Sequence, residues 1–341
     1  MKYITYVVPS YNSQDYLDRC VDTLVPSGED VEVIIVNDGS TDKTAEMANS
    51  YAEKYPNIVR VIHKENGGHG SAVNAGLENA NGIYLKVVDS DDWVDVENAK
   101  KVLQQVKKWH ESNTRVDLVM YNYVYDHLFE GKTKSMAYRN VFKEMEIVNW
   151  DQIGHLSPSQ YIIMHSTMFR TDVLRESGVV LPKHTFYVDN IFTHQPLSFV
   201  KSICYMDLDL YHYFIGRDDQ SVNEKVLMKR IDQQLKVTKM ILDRVVTPEE
   251  RNAPKKLRKY LLRNLSIMIT ISDIHLLMIN DDEAYAKRKD LWDTIKARDP
   301  KLYNYLKYRT LSGGSYLPFG RAGGAITLAI YRLARKIYKF N

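Results

Sequence analysis

Three carboxylates lie within four positions at Asp89, Asp91 and Asp92, directly after the mostly apolar residues 83–88. So much negative charge in one place is unfavourable unless a cation balances it. Asp89 and Asp91 are two residues apart, so their side chains project to the same side of an extended backbone. Carboxylate oxygens suit Mg²⁺ and Mn²⁺, which often complete their coordination with substrate phosphate. The cluster therefore predicts a metal and phosphate site; the alternative is an acidic turn in which Asp92 caps a helix starting at Trp93.

Polar or aromatic residues also follow the first two apolar runs of the chain. Tyr11 comes just after residues 4–8 and Pro9, and Asp38 comes just after residues 31–36. Adjacent parallel strands end at the same sheet edge, where open α/β sheets bind their ligands. The tyrosine ring could stack on a nucleobase, and the carboxylate could accept hydrogen bonds from its N–H groups. Each feature alone is also typical of an ordinary turn or a half-buried core position.

A glycine-rich loop, Asn66-Gly67-Gly68-His69-Gly70, precedes a helix predicted to begin at Ser71. Glycine lets the backbone approach a ligand closely, and a helix N-terminus presents free N–H groups to an anion. The loop is not a Walker loop, because no Gly-Lys-Ser/Thr sequence follows it. By itself it does not specify a class of ligand.

The elements that must position these residues alternate along the first 125 residues. Strands are predicted over residues 4–8, 31–36, 59–62, 83–88 and 118–123, with helices between them, including 71–79 and 94–110. We expect Ser40 or Thr41 to cap the helix that runs toward Tyr55. Strands that alternate with helices indicate an α/β fold, with a mostly parallel sheet flanked by helices.

The remainder of the chain changes character twice. Residues 126–220 have an irregular pattern of short strands and loops, and residues 224–309 have helical spacing. Polar residues interrupt the apolar stretch 261–279, which predicts a buried helix rather than a membrane span. The glycine pairs within residues 311–324 predict a flexible linker before a final helix over 325–340.

The final helix is predicted to be basic and amphipathic. The chain has a net charge of +3, but residues 321–341 contain five cations and no acid, which leaves −2 elsewhere. The cations share one arc and the apolar residues another: Arg321, Arg332, Arg335, Lys336 and Lys339 against Ile326, Ile330, Leu333, Ala334 and Ile337. Such a helix suits an anionic membrane surface; the alternative is packing on its own domain or on a second copy in a homodimer.

Composition limits the class of protein and its compartment. The chain has 341 residues, 26% of them charged, which is ordinary for a folded domain. Two distant cysteines, Cys20 and Cys204, do not make a disulfide framework and favour a reducing compartment. The apolar start is too short for a signal peptide. We expect a cytoplasmic protein, peripheral at the inner face of the cell membrane, with no nucleic-acid partner.

Taken together and in order, these motifs resemble those of the family-two inverting glycosyltransferases of the GT-A fold. The matching segments are Pro9-Ser10-Tyr11-Asn12, Val36-Asn37-Asp38-Gly39-Ser40-Thr41-Asp42, Asn66-Gly67-Gly68, Ala72, Asn74 and Gly76, and Asp89-Ser90-Asp91-Asp92. The likeness is close over residues 1–125 and looser to about 222. It implies an enzyme that uses a nucleoside diphosphate sugar, usually a UDP-sugar, together with Mn²⁺ or Mg²⁺.

The resemblance also implies roles at matching positions. Tyr11 and Asp38 would bind the base, Asp89 the ribose or sugar, and Asp91 the metal. The other residues expected to contact the nucleotide sugar are Pro9, Asn66, Gly67, Ser71 and Ser90.

The acceptor side carries two further assignments by resemblance. Asp189, after the aromatic stretch Phe186-Tyr187, matches the family's catalytic base, although Val188 stands where many relatives have Glu. Arg217 would pair with the diphosphate, with a surface ion pair as the alternative. We expect His212 to be a core residue.

The predicted function is transfer of a sugar to a hydroxyl of a saccharide or polyprenyl-linked saccharide in cell-surface polysaccharide synthesis. Two alternatives remain: a catalytically silent sugar-nucleotide-binding partner in a glycosylation complex, and a sugar nucleotidyltransferase. The predicted domains are a GT-A catalytic domain over 1–222, a helical region over 223–310, and a linker with a basic helix over 311–341.

Overall fold

The computed structural model describes residues 1–128, 130–157, 160–216, 224–317 and 320–338. The chain divides into two compact units, Met1–Asp218 and Asp219–Asn341.

One large sheet organises the first unit. Its strands are β1 (Ile4–Ser10), β2 (Val31–Asp38), β3 (Val59–Lys64), β4 (Tyr84–Val87), β5 (Trp93–Val94), β6 (Leu118–His127), β7 (Lys132–Met136), β8 (Ile147–Val148), β9 (Thr167–Arg170) and β10 (Ile203–Phe214). The main order is β3-β2-β1-β4-β9-β6-β10-β5. Strands β1 to β4 are mutually parallel and so are β6 and β10, whereas β9 runs antiparallel between these two groups. The sheet is therefore mixed, with a parallel half formed by the first four strands.

Helices connect the strands of this half and flank the sheet. They are α1 (Leu17–Leu24), α2 (Thr44–Lys54), α3 (His69–Asn79) and α4 (Val96–Glu111), followed by the short α5 (Thr171–Glu176) and α6 (Asp189–His194). Every residue of β1 and β2 is buried, because helices cover both faces of these central strands. The ends of β1, β2 and β4 thus bring the predicted motifs to one edge.

The Asp92 helix cap considered as an alternative is not observed, and the expected cap at Ser40 or Thr41 is wrong. Trp93 lies in β5 rather than in a helix, and Asp95 caps α4 by accepting a hydrogen bond from the Asn98 N–H at 2.8 Å. Helix α2 begins at Thr44, whose N–H donates to Asp42 Oδ1 at 2.9 Å, instead of being capped by Ser40 or Thr41. In both places an aspartate closer to the first turn provides the acceptor.

The segment expected to be irregular contains the longest strand, β10. Its pairing with β6 shifts register between Met206 and Asp209 and again before Tyr211. This irregularity interrupts the two-residue alternation that would reveal a strand in the sequence. Strand β6 is also longer than predicted and ends at His127.

The second unit is helical, as predicted for residues 224–309. Its helices are α7 (Glu224–Lys229), α8 (Ile231–Val245), α9 (Pro248–Arg251), α10 (Lys255–Ile279), α11 (Asp282–Arg298), α12 (Pro300–Arg309), α13 (Leu311–Ser315) and α14 (Gly320–Tyr338). Among the described residues, α10 is the one helix long and apolar enough to span a membrane. Thirteen of its residues are buried within the protein.

The predicted flexible linker over residues 311–324 is wrong, because α13 and the start of α14 occupy most of it. A Cβ on Gly313 would lie 1.8 Å from the Lys307 carbonyl oxygen, so glycine there permits close packing rather than flexibility. Ser315 Oγ donates to the buried Asp273 carboxylate at 2.8 Å, which ties α13 to α10.

Candidate active site

The acidic turn after β4 is held in place by Asp92, which faces inward. Asp92 is fully buried and accepts hydrogen bonds from the Tyr211 hydroxyl at 2.5 Å and the Phe214 N–H at 2.8 Å. Burial, together with the charges of Asp91 and Asp89, raises the pKa of Asp92 well above its usual range. Asp92 therefore connects the turn to β10, which replaces the helix-cap role considered from the sequence.

Asp89 forms a close pair with His69 at the start of α3. Its Oδ1 atom lies 2.8 Å from His69 Nε2, and its backbone N–H donates to the Tyr211 hydroxyl at 3.2 Å. Burial opposes ionisation of Asp89, but the His69 charge and hydrogen bond outweigh it and lower the pKa to about 2. Against the effect of burial, Asp89 likewise raises the pKa of His69. The pair is a close hydrogen-bonded contact between the glycine-rich loop and the acidic turn.

A candidate metal group lies at the same turn. Among the described residues, ligand atoms of Asp89, Asp92 and His165 all lie within 4.8 Å of one another. Asp92 already accepts two hydrogen bonds, so Asp89 and His165 are the more available members. Asp91, the metal ligand expected from the sequence, is not in this group, and its assignment stays a prediction.

His165 has the properties of a neutral metal ligand. Its ring stacks on Tyr211 and Tyr213, with centroid distances of 4.7 and 4.5 Å. Burial lowers the pKa of His165 to about 4, so the imidazole is uncharged at neutral pH. Its buried Nδ1 has no hydrogen-bond partner in the part of the chain that the structure describes. The adjacent carboxylates fit Mn²⁺ or Mg²⁺ in chemical type, and an uncharged imidazole fits a transition ion better than Mg²⁺.

A buried lysine lies beneath the cluster and was not singled out from the sequence. Lys86 on β4 is 1% exposed, and its Nζ donates to the carbonyl oxygens of Met164 at 2.6 Å and His165 at 3.1 Å. Burial lowers its pKa to about 7. These bonds attach the turn that carries His165 to β4. A lone lysine within a predicted buried strand was a signal that could have identified it.

Asp38 is engaged with the glycine-rich loop. Its carboxylate accepts hydrogen bonds from the Gly67 N–H at 3.0 Å, the Gly68 N–H at 2.7 Å and Lys64 Nζ at 2.5 Å. The Asn66 side chain donates to the Asp38 carbonyl oxygen at 2.9 Å. Asp38 therefore shapes this loop, and the expected contact between Asp38 and a base stays a prediction.

The first two loops meet at the sheet edge, as expected from the sequence. The Asn12 N–H donates to Ser40 Oγ at 3.0 Å, and the Thr41 N–H donates to Asn12 Oδ1 at 2.9 Å. Next to them the Tyr11 side chain is 53% exposed, which leaves its ring face accessible to a ligand.

The other predicted contacts lie around these loops. Pro9 is buried in β1 and pairs with β2, Ser71 is buried beside Gly67, and the hydroxyl of Ser90 lies 2.7 Å from that of Ser13. Because these side chains are covered, contact with a ligand would use mainly their backbone or their neighbours.

Asp189 is the first residue of α6 and follows a strained loop. The non-glycine residues His184 and Tyr187 have φ angles of 49° and 65°, in the left-handed region. Backbone strain of this kind is concentrated at functional sites. Burial raises the pKa of Asp189, whereas the nearby His69 opposes the rise. Asp89 and Asp189 thus both lie within electrostatic range of His69.

Of the two remaining assignments, the structure describes His212 but not Arg217. His212 stacks on Trp93 at 5.3 Å and lies 3.3 Å from Asp126, so it is a packed residue at the edge of β10. Arg217 lies outside the described residues. The cysteines Cys20 and Cys204 are both buried and free.

The fold places acidic groups and a glycine-rich loop at the carboxyl ends of the parallel strands, where open α/β sheets bind their ligands. Residues 5–176 match the model of the family described as "Glycosyl transferase family 2". The chain therefore belongs to glycosyl transferase family 2, which confirms the predicted family and enzyme class.

Individual relatives agree with this membership. EpsH of Bacillus subtilis, named as a putative glycosyltransferase, is 27% identical over 219 residues, which are 62% of this chain and 60% of that protein. The poly(ribitol-phosphate) beta-glucosyltransferase of Bacillus spizizenii is 29% identical over 236 residues, 64% of this chain and 33% of that protein. The chain thus spans less than two thirds of the length of either relative.

A solved structure supports the fold. TarS 1–349 from S. aureus, in complex with UDP-GlcNAc, superposes with a TM-score of 0.65 at 19% identity, covering 98% of this chain and 92% of that one. This likeness confirms the predicted GT-A fold with a C-terminal helical region.

Proposed function

We propose that this protein is a metal-dependent, inverting glycosyltransferase that moves a sugar from a UDP-sugar to a hydroxyl group of a saccharide or lipid-linked saccharide. One observation carries the proposal: the His69 imidazole joins the acidic turn after β4, through Asp89, to the surroundings of Asp189. In this proposal the leaving-group site and the proton acceptor would be adjacent, as displacement at a sugar carbon requires.

The donor assignment rests on the nucleotide side of the site. The accessible Tyr11 ring suits stacking on a base, next to the loop that Asp38 holds. The solved relative TarS binds UDP-GlcNAc and the Bacillus spizizenii relative is a glucosyltransferase, which supports a UDP-sugar donor.

The metal would be held at the acidic turn. Asp89, Asp91 and His165 are the residues that would hold Mn²⁺ or Mg²⁺, and a mannosyltransferase structure of the same fold contains Mn²⁺. Such an ion, when bound, neutralises charge that develops on a departing diphosphate. Asp92 remains the structural anchor of the turn in this proposal.

Asp189 would act as the general base. An acceptor hydroxyl gives its proton to the Asp189 carboxylate while its oxygen attacks the anomeric carbon. The bond from that carbon to the diphosphate oxygen breaks on the opposite face, so nucleoside diphosphate leaves and the configuration inverts. The raised pKa of Asp189 makes it a stronger proton acceptor than an ordinary aspartate.

We propose a membrane-facing role for α14, and the packing of this helix supports it. Within residues 320–333, the buried positions are the small residues Gly323, Gly324 and Thr327, whereas Ile326 and Ile330 are 52% and 58% exposed. In this part of the helix the apolar stripe is therefore uncovered, and Arg321 and Arg332 are exposed as well. The sequence adds further cations at 335, 336 and 339. An apolar stripe flanked by cations suits the surface of an anionic bilayer, where a lipid-linked acceptor would reside.

Vesicle binding by the full chain tests this localisation. The double variant Ile326→Glu/Ile330→Glu should lose binding to phosphatidylglycerol vesicles. Ala325→Glu/Ala329→Glu, which adds the same charge at other exposed positions, should retain more of it. A homodimer that the isoleucine variants dissociate, without a change in vesicle binding, would assign the stripe to self-association instead.

The enzymatic proposal is tested by nucleotide release. Purified protein is incubated with UDP-glucose, UDP-galactose and their N-acetyl forms, with Mn²⁺ or with EDTA, and free UDP is measured. We expect metal-dependent UDP release from one of these donors. No release from any donor, with or without a saccharide acceptor, would support the catalytically silent alternative.

A further inference from the structure

Helix α1 supports the acidic turn from behind through three contacts with its backbone. Arg19 Nη2 donates to the Asp91 carbonyl oxygen at 2.7 Å, and Cys20 Sγ lies 3.6 Å from the Asp89 carbonyl oxygen. The Val94 N–H donates to Thr23 Oγ1 at 3.2 Å. A turn that carries several like charges is thereby fixed along its whole length.

Arg19 is the central and most specific of these contacts. Its guanidinium carbon lies 4.4 Å from the ring centroid of Trp93 and 4.9 Å from that of Phe214. Both rings belong to segments that bear on the turn: Trp93 follows it directly, and the Phe214 N–H binds Asp92. Stacking on two rings restricts the guanidinium plane, so the hydrogen bond to Asp91 has a defined direction.

We propose that Arg19 is a positioning residue that sets the backbone of Asp91 so that its carboxylate meets the metal. The inference rests on the proposed function, in which Asp91 helps to hold Mn²⁺ or Mg²⁺. Groups that orient a ligand residue from behind commonly determine metal affinity without touching the ion. Arg19 has this relation to Asp91 through the hydrogen bond from its guanidinium to the Asp91 main-chain carbonyl oxygen.

A positioning role and a simple charge-balance role for Arg19 predict opposite changes in Mn²⁺ affinity when Arg19 is replaced. A cation close to a metal site repels the metal, so removing the Arg19 charge alone should tighten Mn²⁺ binding. If Arg19 instead positions Asp91, its removal should weaken Mn²⁺ binding although the site becomes more negative. A purely structural Arg19 would affect unfolding and leave the metal affinity unchanged.

The experiment compares Arg19→Met, Arg19→Lys and wild type in the full chain. Mn²⁺ affinity is measured in the presence of UDP by electron paramagnetic resonance, and thermal unfolding is followed in parallel. We expect Arg19→Met to bind Mn²⁺ about tenfold more weakly, as is typical for a residue that orients a ligand. Lysine keeps the charge and one donor but not the planar stack, so it should recover part of this loss. If the Met variant does not fold, the Lys variant carries the same comparison.

Arg175→Met provides a matched control. Arg175 Nη2 also binds main-chain carbonyl oxygens, of Ala80 at 2.7 Å and Leu77 at 3.2 Å, away from the acidic turn. This variant should lose stability and keep wild-type Mn²⁺ affinity. If Arg19→Met binds Mn²⁺ as tightly as the wild type or more tightly, while Asp91→Asn binds it more weakly, the positioning role of Arg19 is overturned. The metal assignment of Asp91 would then stand. Unchanged binding in Asp91→Asn would remove the metal assignment of the proposed function as well.

Discussion

The His184 N–H donates to the Gly67 carbonyl oxygen at 2.7 Å, which joins the glycine-rich loop to the loop that carries Asp189. On its other side, the Gly67 N–H binds the Asp38 carboxylate at 3.0 Å. The segment expected to contact the base and the segment expected to hold the acceptor are therefore in direct contact. Changes in the glycine-rich loop should affect catalysis as well as nucleotide binding.

Replacing Gly68 with alanine tests this contact. Gly68 has a φ of 82°, and an added Cβ would lie 3.1 Å from His184 N. Gly178 has a φ of 62° and open space around it, so Gly178→Ala carries the backbone strain without the crowding. We expect Gly178→Ala to lower the free energy of unfolding by about 1–2 kcal/mol and to keep wild-type activity. Gly68→Ala should in addition lower kcat, as measured by UDP release; equal kcat in the two variants would contradict the coupling.

Substitution of Asp189 separates binding from chemistry. Asp189→Asn removes the proton acceptor and keeps the shape, so transfer should fall by about 10²-fold or more while UDP affinity is retained. In the wild type the carboxylate must be ionised to act. Because burial raises its pKa, kcat should decline on acidification at a higher pH than an ordinary aspartate would give. Turnover unchanged in Asp189→Asn would remove this residue from the mechanism.

Asp38→Ala should loosen the glycine-rich loop. The substitution leaves the N–H groups of Gly67 and Gly68 without their acceptor, at a cost of about 1–3 kcal/mol if they stay buried. UDP affinity should fall with it. Glu32→Ala is the matched control, because this buried carboxylate at the opposite end of β2 accepts from Thr5, Asn81 and Arg60. Loss of stability without loss of UDP affinity in Asp38→Ala would limit its role to folding.

The metal ligands can be distinguished by single substitutions. Asp91→Asn and His165→Ala are compared for Mn²⁺ affinity in the presence of UDP. We expect both substitutions to weaken Mn²⁺ binding. Asp91 is a proposed ligand, and the neutral His165 imidazole lies within 4.8 Å of Asp89 and Asp92. His110→Ala serves as the control, since His110 packs against Tyr3, before the start of β1. Wild-type affinity in His165→Ala would exclude His165 from the ligand set.

Much of the parallel half of the fold could be predicted from the sequence. Strands β1 to β4 are short, mostly apolar runs followed by polar residues, and their carboxyl ends lie at the same edge of the sheet. Strand β10 was harder to predict because Asp207 and Asp209 interrupt its alternation where the register shifts. The flexible linker predicted over residues 311–324 was wrong for a related reason. Gly313 is needed there for close packing, which only the tertiary structure reveals.

The candidate site shows the same division. Asp89, Asp38 and Asp189 could be located because each follows a strand or an aromatic motif. The roles of Arg19 and Lys86 depend on contacts with residues 72 and 78 positions away, at Asp91 and Met164, which spacing along the chain does not encode. The anchoring role of Asp92 likewise depends on Tyr211 and Phe214, which are 119 and 122 positions away, so the sequence left a helix cap open as its alternative role.

In the proposed function, a divalent metal at the acidic turn holds the diphosphate of a nucleotide. Calorimetric titration of UDP into the full chain, with Mn²⁺ and then with EDTA, measures this directly. We predict clear binding with Mn²⁺ and at least about tenfold weaker binding with EDTA. Equal UDP affinity in both conditions, or no binding in either, would contradict the account.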